Sequence, residues 1–150
     1  TLDPSIGEFV LSHPHICFSD PPRTVYSVNE AYFDRWSRAQ HRLISHFKNQ
    51  GGFDHRYIGS FDTDFHRPLL RVGLFMSPRE RENSTGKLRL LYEASPIAMI
   101  AEQAGGRAST GCEDLVDVVP TSLHQRTPVY IGSSAFVDLA EQFLREDSEI

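Results

Sequence analysis

A chain of 150 residues with 39% hydrophobic and 23% charged content suits one compact domain with a modest core. Its 15 Lys and Arg against 20 Asp and Glu leave a net charge of -5, which argues against the basic face needed for nucleic-acid phosphates and against an anionic membrane surface. No apolar run approaches the ~20 residues of a membrane-spanning helix and no signal-like segment opens the chain. Two cysteines, Cys17 and Cys112, are too few and too far apart for a disulfide framework or a CxxC metal knuckle, so a soluble protein of a reducing compartment is expected.

No repeat, low-complexity tract or domain-dividing linker interrupts the chain. "TLDPSIGEFVL" is strand-like from the outset, so the start reads as a cut end, with a strand over Ile6 to Leu11. "SDPPRT" reads as a turn. Val25 to Val28 is a short strand leading into a helix from Asn29 to Trp36, and Ser37 to Lys48 is an exposed helix. "NQGGFDH" is a loop, because its glycine pair has no side chain to pack. Ser60 is the expected N-cap of a helix through about Phe65, in which Asp62 and Asp64 complement the helix dipole rather than catalyse. Pro68 should kink or shorten that helix. "SPRERENSTG" reads as a charged, solvated connection.

"GKLRLLYEASPIAMIAEQAGG", Gly86 to Gly106, places charges in a run that otherwise looks like buried strand. In an extended strand Lys87, Arg89, Leu91 and Glu93 share one face, while Leu88, Leu90 and Tyr92 share the other. Ser95 and Pro96 then start a helix that runs to about Ala104, with Gly105 and Gly106 as its left-handed exit. Two cations ending in a carboxylate at a helix N-terminus suit a phosphorylated ligand and a divalent cation. Lysine offers a point charge, arginine a fork for phosphate oxygens, and glutamate a hard oxygen ligand. The same spacing also suits an edge strand with solvated charges and an internal ion pair.

Three further features have plainer readings. His13, His15 and Cys17 would share a face if extended, as in a zinc half-site, but no fourth ligand is evident and Pro14 breaks strand pairing, which favours a loop. His124, beside Gln125 and Arg126, suits a structural hydrogen-bond network better than a general base. Ser134 to Arg145 sets Phe136, Val137, Ala140, Phe143 and Leu144 on one helical stripe, a core or subunit contact.

"GKLRLLYEASPIAMIAEQAGGRASTG" resembles the C-terminal half of the class I fructose-1,6-bisphosphatases. The resemblance continues in "TLDPSIGEFVL", "YSVNEAY", "RYIGS", "DFHR" and "VDVVPTSLHQRTPVYIGS", in the family's order and over nearly the whole chain; His13 to Thr24 and Ser37 to His55 carry no such motif. It implies an α/β fold: a mixed sheet of about five strands flanked by helices, the C-terminal half of a layered sugar-phosphatase fold. Residues 1–150 would be the substrate-binding domain, with the metal and AMP half outside the chain.

The implied activity is hydrolysis of fructose 1,6-bisphosphate to fructose 6-phosphate and phosphate, as in gluconeogenesis. Asn29, Tyr32, Arg56, Tyr57 and Lys87 would bind the 6-phosphate, Arg56 by reaching into a neighbouring subunit's site. Arg89 would lie by the 1-phosphate, and Glu93 would bind catalytic metal. The implied cofactor is Mg²⁺, with Mn²⁺ or Zn²⁺ as alternatives, held mostly by the N-terminal half. The implied assembly is a homo-oligomer, a dimer of dimers, in the cytoplasm or in a plastid. Ser77 stands where the family commonly has a tyrosine facing the 6-phosphate. A sedoheptulose bisphosphatase and a non-catalytic phosphosugar-binding or assembly module are the alternative readings.

Overall fold

The computed structural model describes residues 1–18 and 25–146, so the turn expected at "SDPPRT" lies outside the described residues. The chain opens with a small exposed hairpin, β1 (Leu2–Asp3) paired antiparallel with β2 (Glu8–Phe9). Asp3 accepts both the amide and the hydroxyl of Ser5, and Gly7 takes a left-handed φ of 68°. That local turn chemistry takes Ile6 and Gly7 out of the strand expected over Ile6 to Leu11 and leaves only Glu8–Phe9 paired.

β3 (Val25–Ser27) leads into a 3₁₀ helix, Glu30–Arg35, capped by Asn29, whose Oδ1 accepts the Ala31 amide at 3.2 Å. α1 (Arg38–Asn49) follows, capped by Ser37. It is not the exposed helix expected, because Ala39, Gln40, Leu43, Ile44 and Phe47 are buried along one face. β4 (Asp54–His55) lies inside the stretch read as loop. α2 (Phe61–Arg71) runs beyond Phe65 and past Pro68 without ending there. The fixed φ of proline is helical, and burial of the Pro68 ring offsets the missing donor.

β5 (Leu74–Ser77) is followed by β6 (Leu88–Arg89), then a π-helical turn over Leu90–Ala94 that runs into α3 (Ser95–Gln103). Ser95 therefore does not cap a helix; the chain is already helical five residues earlier. β7 (Arg107–Ser109), β8 (Arg126–Thr127), β9 (Val129–Gly132) and α4 (Ser134–Glu146) complete the order.

The central sheet has five strands in the order β4-β3-β5-β9-β7, with β3 parallel to both neighbours and β9 antiparallel to both of its own. This is the α/β fold with a mixed sheet that the sequence implies. β6 and β8 form a separate antiparallel ribbon. Side chains alternate across the sheet, and each face carries its own core. Phe75, Val129 and Ile131 meet Phe65 and Leu69 of α2 and the alanines of α3. Leu74, Met76 and Tyr130 meet Leu43, Ile44 and Phe47 of α1 with Val137 and Ala140 of α4. The stripe at Val137 and Ala140 is core.

Asp64 ties one of these layers to the loop that follows β4. It is 2% exposed. Its Oδ1 accepts the Ser27 hydroxyl at 3.0 Å and the Ile58 amide at 2.9 Å, and its Oδ2 accepts the Gly59 amide at 2.8 Å. Asp62 is exposed, as a dipole-complementing acid should be, whereas Asp64 organises "RYIGS". Asp64→Ala strands the buried Ser27 hydroxyl, at a cost of about 1–3 kcal/mol, and releases the Ile58 and Gly59 amides that hold the loop. Thermal unfolding followed by circular dichroism should show a drop of roughly 10 °C, with Asp64→Asn falling less because one oxygen still accepts.

Candidate functional site

β5 ends at Ser77 beside the 3₁₀ helix, and there Asn29, Tyr32, Tyr57, Ser77 and Lys87 line one cleft of about 60 Å³. Its floor is apolar, formed by Val28, Trp36, Phe75 and Met76. Each polar side chain arrives for a local reason. The cap at Asn29 starts the turn that presents Tyr32, and the amide clasp of Asp64 presents Tyr57. Lys87, just before β6, faces the cleft while Leu88 and Leu90 pack inward.

The electrostatics of the cleft are not those of a bare cation. Lys87 Nζ sits 3.3 Å from the centre of the Tyr32 ring, where the face of the π system favours a positive charge. It also lies 2.5 Å from Glu80 Oε1. Arg35 contacts the same ring at 4.8 Å and approaches Glu80 Oε2 at 3.6 Å. Burial, followed by the charge of Asp64, raises the Tyr57 phenol above its ordinary pKa, while the Asn29 hydrogen bond pulls the other way. The hydroxyl therefore stays protonated at neutral pH, as a donor.

Arg56, Arg89 and Glu93 are not in this cleft. Arg56 donates to the His55 carbonyl at 2.9 Å and lies 3.4 Å from Asp54, with more than half of its side chain in solvent. Arg89 and Glu93 form their own unit: Glu93 Oε2 accepts the Arg89 amide at 2.6 Å and lies 3.8 Å from its guanidinium. The expected alternation holds from Lys87 to Leu90 and fails beyond. The π turn replaces strand, so Leu91 and Tyr92 are both exposed and Glu93 returns to Arg89 as a capping acid does. Arg126 stands opposite Arg89 in the β6–β8 ribbon, a like-charge pair.

Glu80, which lines the cleft, and Arg35, which meets Glu80 and the Tyr32 ring from outside that lining, are the charged residues that sequence reasoning misses. Nothing in the spacing of "SPRERENSTG" separates Glu80 from the exposed Glu82; the difference is the backbone pairing of Glu80 with Asn83, which turns Glu80 inward. Elsewhere, the Tyr92 hydroxyl and His124 Nδ1 are 2.9 Å apart, a structural contact. His13 Nδ1 pairs with Ser12 in a loop. Among the described residues, no three His, Cys, Asp or Glu side chains gather closely enough to hold a metal ion.

Comparison with known proteins shows the family and the fold. The model of the fructose-1,6-bisphosphatase C-terminal domain matches residues 20–145. The class 1 fructose-1,6-bisphosphatase of Oleidesulfovibrio alaskensis is 47% identical over 99% of this chain and 46% of its own length. That of Chloroherpeton thalassium is 49% identical over 95% and 42%. The holo crystal structure of Leishmania major fructose-1,6-bisphosphatase superposes with a TM-score of 0.89 at 47% identity, covering 95% of this chain and 45% of that one. The apo form gives 0.90, covering 97% and 47%. The chain spans a little under half the length of these relatives. A domain model that matches most of the chain, and the shared fold at nearly half identity, establish that it belongs to the class 1 fructose-1,6-bisphosphatase family.

Proposed function

We propose that this chain is the substrate-binding half of a fructose-1,6-bisphosphatase, which hydrolyses fructose 1,6-bisphosphate to fructose 6-phosphate and phosphate. The observation that carries this reading is the cleft, which gathers Asn29, Tyr32, Tyr57, Ser77 and Lys87 from four separate parts of the chain. Neutral hydroxyl and amide donors around one lysine suit a phosphate monoester. Arg89 follows Lys87 by two residues, roughly 7 Å along an extended strand, so two cations are spaced for a ligand charged at both ends. In this reading Lys87 and the tyrosine hydroxyls hold the 6-phosphate, and Arg89 neutralises charge at the 1-phosphate.

The metal requirement is met only in part by these residues. One carboxylate fits as a single ligand and not as a complete centre, because Mg²⁺ takes six oxygens and Glu93 already shares Oε2 with Arg89. Glu93 would supply that ligand to Mg²⁺, or to Mn²⁺ or Zn²⁺, with the remaining ligands coming from outside this chain. A bound divalent ion would activate water and take up phosphoryl charge. Arg56 would serve a neighbouring subunit's site in a homo-oligomer, a reading that its solvent-facing position outside the cleft supports. Phe9 and Leu11, each 81% exposed, and Val119, 78% exposed, are apolar surface of the kind that a further part of a longer enzyme would cover.

Two measurements test the proposal. The 150-residue chain alone should hydrolyse fructose 1,6-bisphosphate at no more than background with Mg²⁺ or Mn²⁺. Clear turnover that Glu93→Gln removes would overturn the half-enzyme reading. In a full-length enzyme carrying this chain, Ser77→Tyr should lower KM for fructose 1,6-bisphosphate with little change in kcat. A hydrogen bond to a charged group is worth about 1.5–3 kcal/mol, part of which a bridging water would recover beside serine, and the contact is remote from the breaking bond.

A further inference from the structure

Glu80 is an acid in a cleft whose proposed ligand is an anion. Its side chain is 7% exposed, with Oε1 on Lys87 and Oε2 towards Arg35. Its backbone is fixed: the Glu80 amide donates to the Asn83 carbonyl at 3.1 Å, Asn83 donates back at 3.0 Å, and the Arg81 amide donates to the Arg35 carbonyl at 2.9 Å. The main chain thus aims the carboxylate between two cations, and the partners that meet its oxygens are side chains able to move. Arg35 is the freer of the two, with 55% of its side chain in solvent against 36% for Lys87.

We propose that Glu80 is a specificity-determining residue of this cleft, an internal counter-ion on Lys87 that passes to Arg35 when the phosphate of a sugar phosphate takes its place. The proposal rests on the reading of the cleft as a 6-phosphate site. A phosphate carries between one and two negative charges at neutral pH, about 1.5–2 for an ester, against one on the carboxylate, so it wins the lysine. Glu80 stays within reach and repels it. The carboxylate is also an acceptor, and a sugar hydroxyl donates to it while the ester phosphate stays on Lys87, whereas inorganic phosphate has only its own P–OH to turn towards it. Glu80 therefore lowers affinity for small dianions and spares phosphorylated polyols. Inorganic phosphate is a product of the proposed reaction, so this selectivity keeps the product from holding the site.

The sign of the effect separates this role from scaffolding. If Glu80 merely held Lys87 in place, its removal would weaken binding of every anion. If it competes, removal strengthens binding, and most for inorganic phosphate. Titration calorimetry of the chain and of Glu80→Gln with inorganic phosphate and with fructose 6-phosphate makes the comparison. Glu80→Gln should bind inorganic phosphate about ten-fold more tightly, the size expected for one unit charge a few ångströms away in a partly screened cleft, and should narrow the preference for fructose 6-phosphate. Arg35→Gln, at an exposed position, removes the acceptor for the displaced carboxylate. It should weaken fructose 6-phosphate binding in the native background more than beside Glu80→Gln; if Glu80→Gln does not fold, Arg35→Gln alone decides, and unchanged fructose 6-phosphate binding overturns the proposal. Unchanged or weaker binding of both ligands to Glu80→Gln overturns the proposal and leaves the cleft reading intact. Failure of the native chain and of Glu80→Gln to bind fructose 6-phosphate overturns the cleft reading and this inference with it.

Discussion

β5 is a strand of four residues, bonded to β3 on one side and to β9 on the other. It is buried on both faces, with Leu74 and Met76 entering one core and Phe75 the other. Both helical layers are positioned against these three side chains and their partners on β9. The pairing is also unusually close. A Cβ at Gly132 would sit against the carbonyl oxygen of Gly73, and one at Gly73 against that of Val25, so both strand contacts require residues without side chains. The cleft inherits this rigidity, because Phe75, Met76 and Ser77 are part of its lining. A binding site built on the end of a central strand is held more firmly than one carried by loops alone.

Three buried carboxylates show how the same chemical group serves different ends. Asp64 accepts backbone amides, which cannot leave without unfolding the loop they belong to, so its role is structural. Glu141 accepts the Ser109 hydroxyl and is bracketed by Arg107 and Arg145; Arg107 also reaches Asp114 and Asp138. That network ties α4 to β7, and although burial alone would lower the Arg107 pKa, its hydrogen bonds to Asp114, Asp138 and Glu141 raise it above the ordinary value. The Glu80 carboxylate meets only side-chain cations among its described contacts, one of them half in solvent. Removing one partner from a buried charge pair is costly because the other is left uncompensated. A pair whose acid has a second cation within reach escapes that cost.

Much of the site was legible because short-range patterns decide it. The alternation of Lys87, Leu88, Arg89 and Leu90 is a property of strand geometry, and the packing of Leu88 and Leu90 follows from it. The resemblance carried by "YSVNEAY", "RYIGS" and "GKLRLLYE" named Asn29, Tyr32, Tyr57 and Lys87, and these four do converge. Composition bounded the rest: among the described residues, no helix is long and apolar enough to cross a membrane.

Other features depend on contacts that no local pattern encodes. Val25 to Val28 is strand-like in sequence, yet only pairing across β5 sets β3 and β9 in opposite directions. The π turn at Leu90–Ala94 is set where strand pairing with β8 stops, so Tyr92 is exposed although alternation would have buried it. Pro68 lies within α2 because its ring has a buried place to go. Glu80 and Glu82 are equivalent in sequence, two acids among arginines in a polar loop, and they part only when the backbone closes on Asn83 and turns one of them towards Lys87. Sequence by itself determined which residues pair along a strand or cap a helix, since those forces act within a few positions of the chain. Tertiary structure decided which charges meet, because an ion pair is made by distance in space and the chain brings Arg35, Glu80 and Lys87 together only once the sheet is formed.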